Sequence, residues 1–277
     1  MSIKISLKKN IKDNQVLNYV LFCDENYRIN GFDRHSLKNH KSFINKLVAS
    51  NKSKNKNLLF LNINSSQKIV LVKVKKNKSI CDIEKLGAEF FSFIKSNLLL
   101  NLTFFEENIN QTYPKNKYFI DDFIHGLKLK SYQFEKYKSK KNKENFEIFI
   151  SYESNSFTFE KNKRYKSLIE GINFTKDLVS EPGNILHPDE YAKRLIQLKK
   201  YGLKITVYDK AKLKKLGMNA LLGVGQGSIR GSYLVTLEWN GVKNKNKPLA
   251  FVGKGVCFDT GGISLKPAKF MEDMTYD

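Results

Sequence analysis

The sequence predicts an α/β protein with two domains, and three observations lead to this class. Short runs rich in Leu, Val and Phe alternate along the chain with segments whose apolar residues recur every three or four positions. Gly and Pro separate these segments, as is typical of turns. A chain of 277 residues is also long enough to form two ordinary hydrophobic cores.

The first half supplies most of the predicted strands. They cover residues 17–25, 57–64, 68–74, 102–106 and 145–153. An amphipathic helix is expected over residues 81–98, with Asp82 placed to cap it, and a second helix over 118–137. These alternating elements predict an α/β domain over residues 1–155.

A connecting helix is expected over residues 156–183, which Pro182 and Gly183 would end. Residues 184–277 then form a second α/β unit. Its predicted helices cover residues 188–200 and 210–217, and its predicted strands cover residues 203–209, 220–227, 233–241 and 249–256. The last of these strands carries the chemistry, because ligands in open α/β sheets gather beyond the carboxyl ends of strands.

The composition gives no clear sign of a nucleic-acid or membrane partner. The formal net charge is +22, but its lysines are scattered along the whole chain and often alternate with Asn. A nucleic-acid surface is therefore possible but not favoured. Cys23, Cys81 and Cys257 are too widely spaced for a disulfide framework, and no apolar run is long enough to span a bilayer. A cytoplasmic location is the expectation.

The segment "VGKGVCFDTGGISLKP" contains the residues best suited to catalysis. Lys254 and Asp259 follow an apolar run and precede a Gly-Gly turn, so that both side chains can point into one cleft. Asp259 and Asp277 offer hard oxygen donors for a divalent cation, and a nearby dication favours the neutral, coordinating amine of a lysine. Lys266 would remain charged to stabilise an oxyanion. On the residues alone, a solvated lysine and a turn aspartate remain the alternative.

The same segment resembles the signature of the cytosol (leucyl) aminopeptidase family. Three further stretches are similar to family motifs in the same order: "GLKLKSYQFEKYKSKK", "TKDLVSEPGNILHPDEYAKRL" and "LGMNALLGVGQGSIRGSYLVTLEWNG". The resemblance implies a macro-domain-like amino-terminal α/β domain, followed by an α/β/α catalytic domain of which only the first part is present. It also implies a homohexamer when the protein is full length.

The resemblance implies a role for each site residue. Lys254, Asp259 and Asp277 would be metal ligands, Lys266 the catalytic lysine, and Met274 a wall of the pocket for the first side chain of the substrate. The implied cofactors are two divalent metal ions, most often Mn²⁺ or else Zn²⁺. The implied reaction removes amino-terminal residues, preferably Leu, from peptides with a free amino terminus.

In the family the chain continues beyond the position of Asp277 to further metal ligands, which this sequence lacks. We therefore expect the 277 residues to be a fragment of the enzyme and inactive by themselves. Two alternatives remain open: a basic nucleic-acid-binding protein derived from the same fold, and a structural subunit without catalytic activity.

Three other residues could carry chemistry but have simpler interpretations. His187 precedes a helical Pro-Asp-Glu and is expected at a helix start. His125 lies within a helical pattern and is expected to pack or to face solvent. Cys257 is adjacent to the candidate segment and is expected to fill space in a strand.

Overall fold

The structure is a computed structural model that describes residues 2–12, 15–31, 37, 40–51, 56–114, 116, 118–140, 144–153, 162–242 and 247–276. It divides into two compact units, Met1–Asn173 and Phe174–Asp277. The predicted boundary between residues 155 and 156 lies outside the described residues, and the predicted extents of the domains remain a prediction.

A six-stranded sheet forms the centre of the first unit, in the order β1-β6-β5-β2-β4-β3. All neighbours pair in parallel except β3 and β4, which are antiparallel. The strands are β1 Ser2–Lys9, β2 Asn18–Cys23, β3 Leu58–Asn62, β4 Lys68–Lys73, β5 Asn101–Phe105 and β6 Asn145–Tyr152. The five strands predicted in this half are confirmed, whereas β1 was not predicted.

Helices accompany this sheet. They are α1 Lys41–Asn51, α2 Ile80–Ser96, α3 Glu106–Thr112, α4 Phe119–Lys130 and α5 Asn162–Ser180, which continues into the second unit. Side chains of β2 point alternately to two hydrophobic clusters: Val20 and Phe22 join one that includes α2 and α4, while Tyr19 and Leu21 join one that includes α1. Both faces are therefore buried, which explains the continuous apolar runs of the central strands.

Helix α2 begins with a capping box, and this corrects the predicted role of Asp82. Ser79 is the N-cap residue, and its hydroxyl accepts a hydrogen bond from the backbone N–H of Asp82. The Asp82 carboxylate in return accepts one from the backbone N–H of Ser79. The prediction from the sequence took Asp82 itself as the cap. In a capping box, however, the acidic residue occupies the third helical position and the N-cap is the residue three positions earlier.

Helices α2 and α4 touch through two glycines. A Cβ atom at Gly87 would overlap the carbonyl oxygen of Phe123, and one at Gly126 would overlap the carbonyl oxygen of Glu84. Each glycine thus faces the backbone of the other helix, and the helix axes approach more closely than side chains would allow.

The second unit contains helices and one small antiparallel sheet. Its elements are α6 Pro188–Ile196, a 3₁₀ segment Gln197–Tyr201, β7 Lys204–Tyr208, α7 Lys210–Lys215, α8 Asn219–Val224, β8 Leu234–Glu238 and a 3₁₀ segment Ala268–Tyr276. Strand β7 pairs with β8. The predicted strands at 203–209 and 233–241 and the predicted helices at 188–200 and 210–217 are confirmed, although the first helix ends in a 3₁₀ turn.

Two predicted strands of this unit are wrong. Residues 219–224 form helix α8, because a short apolar run with Ala and Leu suits a helix as well as a strand. Residues 249–256 form no regular element. Phe251 and Val252 are fully or almost fully exposed, at 89% and 101%, and no described strand pairs with their backbone. A strand needs such a neighbour for its hydrogen bonds.

A search of the described helices finds none that combines the length and the apolar character needed to cross a lipid bilayer.

Candidate active site

The candidate site in the second unit is built on a glycine turn. Gly261 and Gly262 have positive φ angles of 94° and 77°, a region that favours glycine. The turn closes where the backbone N–H of Lys266 donates to the carbonyl of Thr260 at 2.9 Å. The Gly-Gly pair therefore reverses the direction of the chain, and Lys266 comes to lie next to Asp259.

Asp259 and Lys266 form an ion pair across this turn. Nζ of Lys266 lies 3.1 Å from Oδ2 of Asp259, and the backbone N–H of Gly261 donates to Oδ1 at 2.8 Å. The pKa of Asp259 is lowered first by the Gly261 hydrogen bond and then by Lys266, with a smaller contribution from the charge of Lys254. The structure thus places the ammonium of Lys254 within electrostatic reach of the Asp259 carboxylate.

Met274 completes the described part of this group. It lies in the 3₁₀ segment Ala268–Tyr276, and its Sδ is 2.9 Å from Nζ of Lys266. Lys266 therefore contacts both a carboxylate and a thioether. Asp277, the remaining predicted metal ligand, lies outside the described residues.

The donor types suit a hard divalent cation, but their number is small. Within the described ranges, no three His, Cys, Asp or Glu residues come together as a possible metal site. Asp259 offers one carboxylate, whose two oxygens already accept hydrogen bonds, and Lys254 offers one amine. Zinc is usually held by three or four protein ligands, so these two groups alone would not close a coordination shell.

A second polar cluster, which the sequence did not predict, lies at the start of α6. The hydroxyl of Tyr233 donates to Oδ1 of Asp189 at 2.7 Å, and Nδ1 of His187 lies 3.2 Å from Oδ2. Nη1 of Arg230 is 4.0 Å from the same oxygen. The Tyr233 hydrogen bond lowers the pKa of Asp189. Because Asp189 and Tyr233 are 44 positions apart, no local pattern could have indicated the pair.

This second cluster borders the candidate segment. The pKa of Cys257 is raised to about 11, first by burial and then by the charge of Asp189. A Cβ at Gly255 would meet the ring of Tyr191 at 3.5 Å. His187 caps α6 through its Nδ1, which accepts from the backbone N–H of Glu190, so its predicted place at a helix start is confirmed. Helix α6 thus supports the chain just before Asp259.

The comparisons with known proteins identify the family. A model of the cytosol aminopeptidase family, catalytic domain, matches residues 173–277. A "Probable cytosol aminopeptidase" of Nitrobacter winogradskyi is 34% identical over 270 residues, which are 93% of this chain and 53% of that protein. The chain belongs to the cytosol aminopeptidase family. A relative of the same name in Phytoplasma australiense is 49% identical over 157 residues, 56% of this chain and 32% of its own length.

Two solved structures share the fold of this family member at low sequence identity. A mutant of tomato leucine aminopeptidase is similar over 99% of this chain and 57% of its own, with a TM-score of 0.73 and 19% identity. The bottromycin maturation enzyme BotP in complex with Mn is similar over 95% of this chain and 53% of its own, with a TM-score of 0.64 and 19% identity. The chain thus spans a third to somewhat over half of the length of these proteins.

Proposed function

We propose that this chain carries part of the active site of a metal-dependent aminopeptidase, which releases amino-terminal residues, Leu preferentially, from peptides. The observation that carries the proposal is the Asp259–Lys266 ion pair, with Lys254 within electrostatic reach of Asp259, in a segment that matches the family's catalytic domain. Family membership and the named leucine aminopeptidase among the structural neighbours support it.

Lys266, Asp259 and Met274 each have a distinct role in the proposed reaction. Lys266 presents an ammonium that can polarise a scissile carbonyl and stabilise the oxyanion that forms on it. The Asp259 carboxylate holds that ammonium in place at 3.1 Å. Met274, in contact with Lys266, offers an adaptable apolar surface for the first side chain of a peptide.

Lys254, Asp259 and Asp277 are the proposed metal ligands, and two divalent ions are the proposed cofactors, with Mn²⁺ ahead of Zn²⁺. BotP, whose structure contains Mn, supports that order. Such ions would supply Lewis acidity and lower the pKa of bound water. Asp259 would then serve both as a metal ligand and as the partner of the Lys266 ammonium.

The test compares residues 1–277 alone with the same residues continued by the carboxyl-terminal part of the Phytoplasma australiense relative. Both are assayed for hydrolysis of leucine p-nitroanilide with and without Mn²⁺. We expect turnover that requires Mn²⁺ in the longer form only, since the described residues of the shorter form offer two metal donors. Asp259→Asn and Lys266→Met should abolish it, and the matched control Lys269→Met should not.

Two outcomes would contradict parts of this proposal separately. Metal-dependent turnover that survives Asp259→Asn would remove Asp259 from the site. Turnover by residues 1–277 alone would refute only their expected inactivity.

The homohexamer and the cytoplasmic location also remain proposals. The molecular mass of the longer form in solution tests the homohexamer. The comparisons give no support to the nucleic-acid-binding alternative.

A further inference from the structure

The first unit contains a cavity of about 170 Å³ that has no part in the proposed peptidase site. Its walls come from strand β1, from one face of helix α4 and from the first half of helix α5. The lining residues are Ile5, Leu7, Asp121, Ile124, His125, Lys128, Tyr165, Lys166 and Ile169.

Charge is distributed unevenly along this cavity. The α4 residues in its wall recur at helical steps of three and four, from Asp121 to Lys128, and therefore share one face of the helix. At a rise of 1.5 Å per residue, the backbone positions of Asp121 and Lys128 are about 10 Å apart along the axis. The carboxylate and the ammonium thus belong to opposite ends of the wall.

Two lysines, Lys128 and Lys166, line the cavity at the end opposite Asp121. Lys128 is half-buried, and its pKa is lowered first by burial and then by the positive charge of Lys166. Across the part of the chain that the structure describes, neither ammonium is paired with a carboxylate. Two cations close together, one of them partly desolvated, are electrostatically unfavourable unless an anion joins them.

A fixed imidazole stands in the same wall. His125 is only 6% exposed, and its Nδ1 lies 2.7 Å from Oε1 of Glu84. Its ring stacks on Tyr165 with a centroid distance of 4.2 Å, and the Tyr165 hydroxyl donates to Asp122. Nε2 of His125 is buried without a hydrogen-bond partner among the described residues. A buried polar atom without a partner is costly, so a ligand that supplies one would be stabilised.

The rest of the wall is aliphatic and of suitable size for a small organic molecule. Ile5, Leu7, Ile124 and Ile169 supply the apolar surface. A cavity of about 150 Å³ lined by apolar side chains is known to admit benzene, so the volume here suits a ligand of about six to nine non-hydrogen atoms. Inorganic anions would leave this apolar surface uncovered.

We propose that this cavity binds a small aliphatic carboxylate. Its carboxylate joins the ammonium groups of Lys128 and Lys166 and supplies the hydrogen-bond partner that Nε2 of His125 lacks among the described residues. Its hydrocarbon part packs against the isoleucines and Leu7. The site lies wholly within the first unit and does not depend on the proposed peptidase activity.

Calorimetric titration of the chain with 4-methylpentanoate tests this. Two probes separate the contributions: 4-methyl-1-pentanol keeps the hydrocarbon without the charge, and inorganic phosphate keeps the charge without the hydrocarbon. We expect saturable binding of the carboxylate and much weaker binding of both probes. Loss of a charged hydrogen bond in Lys128→Met should weaken binding about tenfold or more. Lys166→Met, at an exposed position, should weaken it without a risk to folding.

Lys130→Met is the matched control, because Lys130 is exposed on the same helix and does not line the cavity. It should leave the affinity unchanged. The ring nitrogen resonances of His125 should shift on saturation with the carboxylate. The proposal is overturned if 4-methylpentanoate does not saturate the protein, or if the alcohol or phosphate binds as tightly. Equal weakening by Lys130→Met would overturn it as well.

Discussion

The contact between α2 and α4 makes Gly87→Ala a sharp test of the fold. The new Cβ would overlap the carbonyl oxygen of Phe123 and lie 2.9 Å from its carbonyl carbon and 3.0 Å from the backbone nitrogen of Leu127. These are backbone atoms that cannot rotate away, so the two helices must separate. A gap of about 0.5–1 Å removes a quarter to a half of each dispersion contact along the seam.

The expected cost is about 3 kcal/mol, at the upper end of the range for an overpacked core, even though Ala is the better helix former. In a unit of 173 residues this corresponds to a fall in Tm of roughly 6–12 °C. The single tryptophan, Trp239, belongs to the second unit, so its fluorescence would not report the loss. Amide hydrogen exchange in peptides from α2 and α4 measures it directly.

Gly171→Ala in α5 is the matched control. A Cβ there meets no heavy atom of the described residues within 4 Å, so only the helix propensity changes. We expect this variant to be as stable as the parent or more stable by about 0.5–1 kcal/mol. If Gly87→Ala showed the same exchange protection as Gly171→Ala, the close approach of the two helices would be wrong.

Three further predictions concern single groups. Lys266→Met should raise the pKa of Asp259, but not to its usual value, because the hydrogen bond from the backbone N–H of Gly261 remains. NMR titration of the carboxyl group measures this pKa, and an unchanged value would refute the ion pair. Because that pKa is lowered, the stabilisation from Asp259 is present above the ordinary carboxyl pKa and lost as the pH falls through the folded value. Ser79→Ala removes the cap of α2 and should cost about 1 kcal/mol in urea unfolding, whereas no loss would exclude the capping box. Iodoacetamide at neutral pH should label the exposed Cys81 before Cys257, whose pKa is about 11, and the reverse order under mass spectrometry would contradict the burial of Cys257.

Strand β2 could be predicted from the sequence because both of its faces are buried. Every residue of β2 is buried, so a continuous apolar run identifies it. The edge strand β1 alternates Ile3 and Ile5 with polar residues, a period of two that would have identified it as a half-buried strand. Residues 220–227 and 249–256 were predicted as strands and are not strands in the structure. A short apolar run does not reveal whether the segment has a hydrogen-bonding neighbour.

The candidate site was predictable only where it is local. Asp259 and Lys266 are joined by a Gly-Gly turn that is visible in the sequence, and the structure brings them together. The polar cluster around Asp189 depends on Tyr233, which is distant in the chain and is placed by the fold of the second unit. The roles of these residues in metal binding stay a prediction, because contact alone does not assign a ligand.

The pairing of β1 with β6 has a consequence for how the protein is made. Residues 2–9 leave the ribosome long before residues 145–152, which are their neighbour in the described sheet. At about 5–20 residues per second, β1 must wait on the order of ten seconds before its partner exists. Lys4, Lys8 and Lys9 are well suited to that interval, because charge along an unpaired edge discourages association with other nascent chains.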